Sequence, residues 1–324
     1  MFWAKAVTST PLVYIGGSGR SGSTLLDRML ACIPGFCSVG ELEWIWRRCL
    51  QRDDRCGCGC RFSDCRFWTS VGEVGFGGWG QVNVDEVVRL SAAVDRHRNI
   101  AAIGGLHRPG RLAGSLNAYR ELTSRLYQAV SDVSGAAVIV DSSKNLSYAL
   151  LLRDLPGFDF RLVHLVRRSH GVAHSWSRRV RKPGVGDGSE YMSVHPPTWS
   201  IGLWMVDNLL YEILGRRIEK ATLVRYEDLV ADPQAELGRL VGSLDLPATD
   251  LTLDFLADSS AELPFAHAVS GNPMRFRQGQ ILLRADDEWQ TSMTRRRQAA
   301  ITAVTWPLLR RYGYPIATRA DHQS

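Results

Sequence analysis

The sequence predicts an α/β fold, a mainly parallel β-sheet flanked by helices on both faces. Three observations carry this. Short apolar runs of strand length alternate with stretches of helical spacing along most of the chain. The first run ends in a glycine-rich turn that opens directly onto a helical stretch. All four runs stop at a polar or glycine-rich cluster. In parallel sheets ligands bind beyond the carboxyl ends of the strands, so the site is expected at those clusters.

Taken in order, Leu12, Val13, Tyr14 and Ile15 form the first buried strand, entering Gly16-Gly17. Residues 23–31 then place Leu25, Leu26, Met29 and Leu30 on one side of a helix. From about 47 to 80 the chain is rich in Cys, Gly and Trp and has no clear period. That stretch reads as an irregular insertion within a single domain spanning 1–324. Residues 84–97 and 116–133 have amphipathic helical spacing. A second strand, 136–140, stops at Asp141-Ser142-Ser143-Lys144, and a third, 161–166, stops at Arg167-Arg168. Helical spacing returns at 171–179 and 199–217. A fourth strand, 221–224, runs into Arg225-Tyr226-Glu227-Asp228, and helices follow at 233–244 and 294–312.

Composition excludes several classes. With 45% hydrophobic and 22% charged residues the chain is an ordinary globular one, not a disordered one. No apolar run reaches the roughly 18 residues of a membrane-spanning helix, so no transmembrane segment is expected. Residues 1–12 hold one lysine and no apolar stretch of signal-peptide length, which makes a cytoplasmic location the expectation. The net charge of +6 suits anionic ligands, but also nucleic acid or a membrane surface. Lys5, Lys144, Lys182 and Lys220 are the only lysines; every other basic residue is arginine. Such a bias marks a GC-rich genome, so an arginine here is informative only through its position.

Gly16-Gly17-Ser18-Gly19-Arg20-Ser21-Gly22-Ser23-Thr24 lies between the first strand and the first helix. Glycines let backbone amides turn inward, and a helix N-terminus adds partial positive charge, which together make a phosphate cradle. A tight βα turn would use the same glycines. The pattern G-x-x-x-x-G-K-[ST] overlays Gly17 to Thr24, except that Ser23 stands in the lysine position. That lysine neutralises nucleotide phosphates beside magnesium, so its loss speaks against a P-loop kinase or nucleotidase. The expected fold is therefore P-loop-like without that lysine, and the cation, Arg20, sits inside the loop instead.

A strand followed by [K/R]-S-G-[S/T]-T resembles the 5′-phosphosulfate loop of the sulfotransferases that use 3′-phosphoadenosine 5′-phosphosulfate. The resemblance implies that Arg20 meets the bridging and sulfonate oxygens, while Ser21, Gly22, Ser23 and Thr24, with Gly19 in the same turn, hold the 5′-phosphate. This family's 3′-phosphate site has an arginine ending a strand and a serine eight positions later. Arg167 and Ser175 have that spacing. A guanidinium fork and a hydroxyl on the next helix suit phosphate oxygens. Tyr226 of Arg225-Tyr226-Glu227-Asp228-Leu229 is similar to the family's tyrosine near the adenine. Residues 271–279 resemble its late nucleotide-closing loop, with Arg275, Arg277 and Gly279 as implied contacts. Gln278 replaces a lysine common in cytosolic members, and the alignment of this loop is open. The matching blocks span about 12 to 289, and the stretch from 47 to 134 carries none of them.

Sulfuryl transfer needs in-line geometry, cations on the departing oxygens and a base for the acceptor proton. With a good leaving group already on the donor, no metal is required. Glu41 follows Arg20 by the separation seen in tyrosylprotein-type sulfotransferases, where this glutamate is the base. The histidine used by cytosolic members has no counterpart in Asp141-Ser142-Ser143-Lys144-Asn145. Glu41 capping a surface helix is the structural alternative. Lys144, by resemblance, is a second cation on the sulfonate or leaving-group oxygen; alternatively it stabilises the sheet end through Asp141.

All seven cysteines lie in the first fifth of the chain, an odd number without an export signal, which argues against a secreted disulfide scaffold. Cys56-Gly57-Cys58-Gly59-Cys60 with Cys65 offers four thiolates to zinc. However, the spacing is not C-x₂₋₄-C and no paired histidines are close by in sequence, so reduced structural cysteines or a disulfide are favoured over metal. The overall expectation is a bacterial sulfotransferase acting on a hydroxyl or amine of a small-molecule acceptor, a phenol, sugar or lipid head group, with no nucleic-acid partner and a homodimer left open. A basic nucleic-acid or membrane-surface binder rests only on the net charge and Arg295-Arg296-Arg297, which suit a solvated helix face. Trp44, Trp46, Trp68, Tyr191, Trp199 and Trp204 are the aromatic groups between the donor motifs. His107, His164, His195 and His267 carry no signal of their own.

Overall fold

Strict alternation in the first strand sets the architecture. In β1 (Thr10–Gly16), Leu12 and Tyr14 pack into one apolar cluster and Val13 and Ile15 into another, so both faces are buried. The computed structural model describes residues 9–106, 110–181, 191–248, 251–257 and 259–316. Along the chain follow α1 (Ser23–Leu30), β2 (Phe36–Gly40), α2 (Arg66–Phe76), α3 (Val84–Val94), α4 (Ile100–Ile103), α5 (Ala113–Ser134) and β3 (Val138–Asp141). Then come α6 (Leu146–Arg153), β4 (Phe158–Val166), α7 (Ser169–Ser177), α8 (Pro197–Gly215), β5 (Ala221–Arg225), α9 (Tyr226–Ala231) and α10 (Pro233–Ser243). The last elements are β6 (Leu256–Ala257), β7 (Ser260–Leu263), β8 (Gly279–Leu282), α11 (Trp289–Ser292) and α12 (Arg295–Arg311).

Five strands pair in parallel in the order β2-β3-β1-β4-β5, with β1 at the centre. Helices α2, α3, α5, α6 and α8 cover one face and α1, α9 and α10 the other. This is the doubly covered α/β sheet the sequence predicts. The strands β6, β7 and β8 form a small antiparallel sheet against the α1 side. Parallel pairing brings all five carboxyl ends to one rim, where Gly16 stands opposite His164, Gly40 opposite Asp141 and Val166 opposite Arg225.

Three elements escape the periodicity. The strand β2, Phe-Cys-Ser-Val-Gly, is short and ends in a register shift at Ser38/Gly40. The helix α6 buries seven of its eight residues, so no polar face marks it. The segment expected to be irregular contains α2 and a helical turn at Ile45–Leu50. Its Trp46, Phe62 and Trp68 are buried in the cluster that covers one sheet face, so it serves as core rather than as surface loop. No disulfide joins any of the seven cysteines. Among the described residues no helix is long and apolar enough to cross a membrane.

Candidate active site

Each strand delivers one candidate group to the rim. The turn after β1 carries Gly19 to Thr24, β2 ends beside Glu41, β3 leads to Lys144, β4 to Arg167 and β5 to Tyr226. All of these but Ser21 line one cleft of about 720 Å³, together with Ser175 and Arg277.

The first turn is built to hold an anion. Gly22, at the N-cap of α1, has φ 94°, and neither a capping side chain nor an acidic residue occupies the first helical turn. The free amides of that turn therefore face the cleft uncompensated. A Cβ on Gly22 would run into the Tyr226 ring, and one on Gly19 would lie 2.8 Å from Trp176. Arg20 adopts φ 70°, a left-handed backbone that costs a non-glycine residue about 1–3 kcal/mol. Its Nη1 contacts Met192 Sδ at 2.9 Å, the guanidinium lies 4.8 Å from the Trp176 ring centroid, and Nη2 is buried without a partner. Burial lowers its pKa, the sign of a desolvated cation that an anion would relieve.

Arg167 lies directly behind this turn. Its Nη1 donates to the Arg20 carbonyl at 3.2 Å, and the guanidinium packs 4.7 Å from the Tyr226 ring centroid. Nη2 pairs with the Asp286 carboxylate at 2.9 Å. Gly171, in the first turn of α7, leaves room for the Arg167 guanidinium, since a Cβ there would lie 2.9 Å from Arg167 Nε. Ser175, further along α7, opens onto the same cleft.

Opposite the turn, Lys144 Nζ donates to Glu41 Oε1 at 2.5 Å and to Ser142 O at 2.8 Å. Lys144 also has a left-handed backbone, φ 66°. Asp141, the alternative partner weighed for this lysine, instead accepts from Tyr127 Oη at 2.6 Å and from the Ser143 amide at 2.7 Å. The late loop reaches over the first turn, where the Asn272 amide donates to Thr24 Oγ1 at 3.3 Å.

Three expected contacts are not brought to the cleft. Ser21 is buried away from the cleft lining, its hydroxyl without a partner. Arg275 is buried as a structural group, donating to the carbonyls of Val269 and Arg55. Gly279 opens β8 and pairs with Leu263 rather than facing a ligand. Of the aromatic candidates, Trp46, Trp68 and Trp204 are core, Trp199 and Tyr191 are exposed, and Trp44 lines the cleft. His164 is bound to Asn208 at 2.9 Å and His195 stacks on Trp199, while His107 lies outside the described residues. Arg295, Arg296 and Arg297 are exposed in the first turn of α12.

Among the lining groups the sequence reading missed are Trp176, Asp207, Glu43, Asp95 and Asp286. Burial pushes Asp207 up to about 7 and Glu43 well above the carboxylate range, the latter helped by Asp95 and Glu41. Only Trp176 had a legible signal, one position after Ser175 on a helix already placed at the rim.

The fold is shared with solved structures. The sulfotransferase domain from the curacin biosynthetic pathway aligns with a TM-score of 0.50 at 18% identity, covering 95% of this chain and 99% of that one. The sulfotransferase domain from the Synechococcus PCC 7002 olefin synthase gives 0.49 at 19% identity, covering 97% and 99%. The curacin-pathway likeness establishes that the chain has the fold of a sulfotransferase domain. No family model and no curated protein matches the sequence.

Proposed function

We propose that this chain is a sulfotransferase, moving a sulfuryl group from 3′-phosphoadenosine 5′-phosphosulfate to a hydroxyl or amine of a small acceptor. One observation carries the reading: the Arg167 guanidinium donates to the backbone of Arg20 at 3.2 Å, so the two expected phosphate anchors adjoin on one rim. The residues fit the donor nucleotide. Arg20 Nη2 is a buried donor awaiting an acceptor, and the α1 amides are uncapped. The nucleotide carries the activated sulfuryl group into the cleft.

In this reading the α1 amides and Arg20 bind the 5′ end, and Arg167 with Ser175 grips the 3′-phosphate. Tyr226 and Arg277 line the ground between. Lys144 turns from Glu41 toward the sulfonate, leaving Glu41 as base for the acceptor proton. The new sulfur–oxygen bond forms as the bond to the departing phosphate oxygen breaks, and the electron pair leaves with that oxygen beside Arg20. The acceptor side holds Asp95 and Glu43, and Glu43 Oε2 is buried without a hydrogen-bond partner. Of a phenol, a sugar and a lipid head group, a sugar or other polyol satisfies such groups best.

The test is differential stabilisation. Adenosine 3′,5′-bisphosphate should raise the melting temperature, and ATP with magnesium or single-stranded oligonucleotide should not. Stabilisation by ATP–magnesium alone would end the proposal. A screen of polyols and phenols with sulfur-labelled donor then identifies the acceptor.

A further inference from the structure

Four donor atoms converge where the cysteine-rich segment meets a strand of chain 200 residues later. One ligand atom from each of Cys56, Cys58, Cys65 and His267 lies within 4.8 Å of the other three. Cys65 Sγ is 3.7 Å from Cys56 Sγ and 3.8 Å from Cys58 Sγ. His267 Nδ1 is 3.3 Å from Cys65 Sγ and 3.7 Å from Cys56 Sγ. For a tetrahedral zinc with bonds of about 2.3 Å to sulfur and 2.05 Å to nitrogen, the S···S edges are about 3.8 Å and the S···N edges about 3.6 Å. These four separations lie within about 0.3 Å of those edges, and the two others, Cys56–Cys58 and Cys58–His267, are no longer than 4.8 Å. Cys58 and Cys60, by contrast, have their sulfurs 3.1 Å apart, too close for both to bind one zinc.

The surroundings match a thiolate centre. The Cys58 amide donates to Cys56 Sγ and the Trp68 amide to Cys65 Sγ, the backbone support that metal-bound sulfur takes. The imidazole is held flat against Phe67, with centroids 4.9 Å apart and 11° between planes. The backbone holds the two halves together: Trp68 Nε1 donates to His267 O at 3.0 Å and the Gly57 amide to Ala268 O at 2.9 Å. Three thiolates and one neutral imidazole around a divalent ion leave one negative charge. The buried guanidinium of Arg275, which donates to the carbonyl of Arg55 next to Cys56, brings a positive charge to this neighbourhood.

We propose that Cys56, Cys58, Cys65 and His267 bind one zinc ion in a closed, structural site. Four protein donors leave no open position, and a soft three-sulfur set selects zinc over magnesium or calcium. The ion braces the wall of the cleft. Three residues beyond His267, Ser270 lines it, followed by Gly271 and Asn272. The intervening Val269 amide donates to Val39 O at 2.9 Å, and Gly40 leaves room for Ala268, whose Cβ would lie 2.8 Å from a Cβ there. The sequence pattern hid the site because its fourth ligand is His267 rather than Cys60.

The test uses the full chain purified from zinc-supplemented cells and needs no turnover. Elemental analysis should find about one zinc per chain, released stoichiometrically by a mercurial that caps thiolates. Cys65→Ser and His267→Ala should lose most of that metal, while Cys60→Ser and His267→Cys keep it. Should the losing variants fail to fold, cobalt(II) alone decides. Added to metal-stripped wild type, it should give tetrahedral visible bands and a sulfur-to-cobalt charge-transfer band. Wild type with substoichiometric zinc, full zinc in Cys65→Ser, or an octahedral cobalt spectrum would each overturn the assignment.

Discussion

The Lys144 ammonium sits 2.5 Å from Glu41 Oε1, closing the cleft between the ends of the neighbouring strands β2 and β3. Both side chains are about one-sixth exposed, so the pair is only partly screened by solvent. In the proposed reaction a sulfonate would draw the Lys144 ammonium away and leave Glu41 free to take the acceptor proton, so the two residues should have separable effects on turnover.

Lys144→Ala should therefore lower kcat by about a hundredfold or more, the typical loss for one donor aimed at developing charge. Affinity for adenosine 3′,5′-bisphosphate, which has no sulfonate, should change by less than about threefold. Glu41→Gln should lower kcat by about 10²–10⁴ with the same unaltered affinity. Calorimetry beside steady-state kinetics checks both. An equal fall in affinity and kcat would place Lys144 in nucleotide binding instead.

Arg167 and Asp286 make a second testable pair. The carboxylate occupies Nη2 of Arg167 at 2.9 Å, where a 3′-phosphate would compete for the same donor. Asp286 is about one-third exposed, so the ion pair is worth no more than about 1 kcal/mol. Asp286→Asn should tighten adenosine 3′,5′-bisphosphate by about two- to fivefold and leave 5′-AMP unaffected. Arg167→Lys, which loses the planar fork, should weaken the bisphosphate by at least about tenfold, again with little effect on 5′-AMP. Identical effects on the two nucleotides would remove the 3′-phosphate role.

The grouping proposed as the donor end was legible because it is written in contiguous residues. Arg20 to Thr24 and Arg167 to Ser175 each combine a strand end, a turn and a helix start, and local spacing fixes which groups share a rim. The acceptor end was not. Glu43 and Asp95 sit 52 positions apart and meet only because the helical turn at Ile45–Leu50 packs against α3. Arg275 shows the opposite failure: the sequence offers it as a nucleotide contact, but its guanidinium turns inward to cap carbonyls. Likewise β2 gave no alternating signal, since a five-residue strand covered on both faces has no polar face to reveal it.

Gly22 couples the turn to Tyr226, the proposed adenine neighbour. Its φ of 94° is left-handed, and a Cβ would collide with the Tyr226 ring. Gly22→Ala should cost about 1–3 kcal/mol of stability and, by displacing Tyr226 from Arg167, weaken the bisphosphate by more than tenfold. Gly59→Ala provides the contrast. Gly59 also has a positive φ, 95°, but nothing lies within 4 Å, so it should lose stability without losing nucleotide affinity. Denaturant midpoints and isothermal titration separate the two effects.

Buried acids should give this protein an unusual pH profile. Burial raises Asp27, Asp95 and Asp207 to about 7 each, from an ordinary value of about 3.9 in the unfolded chain. Between those limits the folded state keeps protons that the unfolded state releases. Stability therefore falls as pH rises from about 4 to 7, by at most about 1.4 kcal/mol per pH unit for each group. His164 and His170 act in the other sense, since burial lowers both; folding is opposed below their ordinary pKa of about 6.5. With three such acids, joined by Glu43, against two histidines, the net slope should remain downward. Asp207→Asn isolates one acid: the amide stays neutral at pH 8, where the buried carboxyl has been forced to ionise, so it should raise the urea midpoint at pH 8 and leave it nearly unchanged at pH 4, where that carboxyl is already protonated. If the variant is instead less stable at pH 8 than at pH 4 relative to wild type, the Asp207 carboxylate is stabilising when charged, and a cation must face it within the cleft.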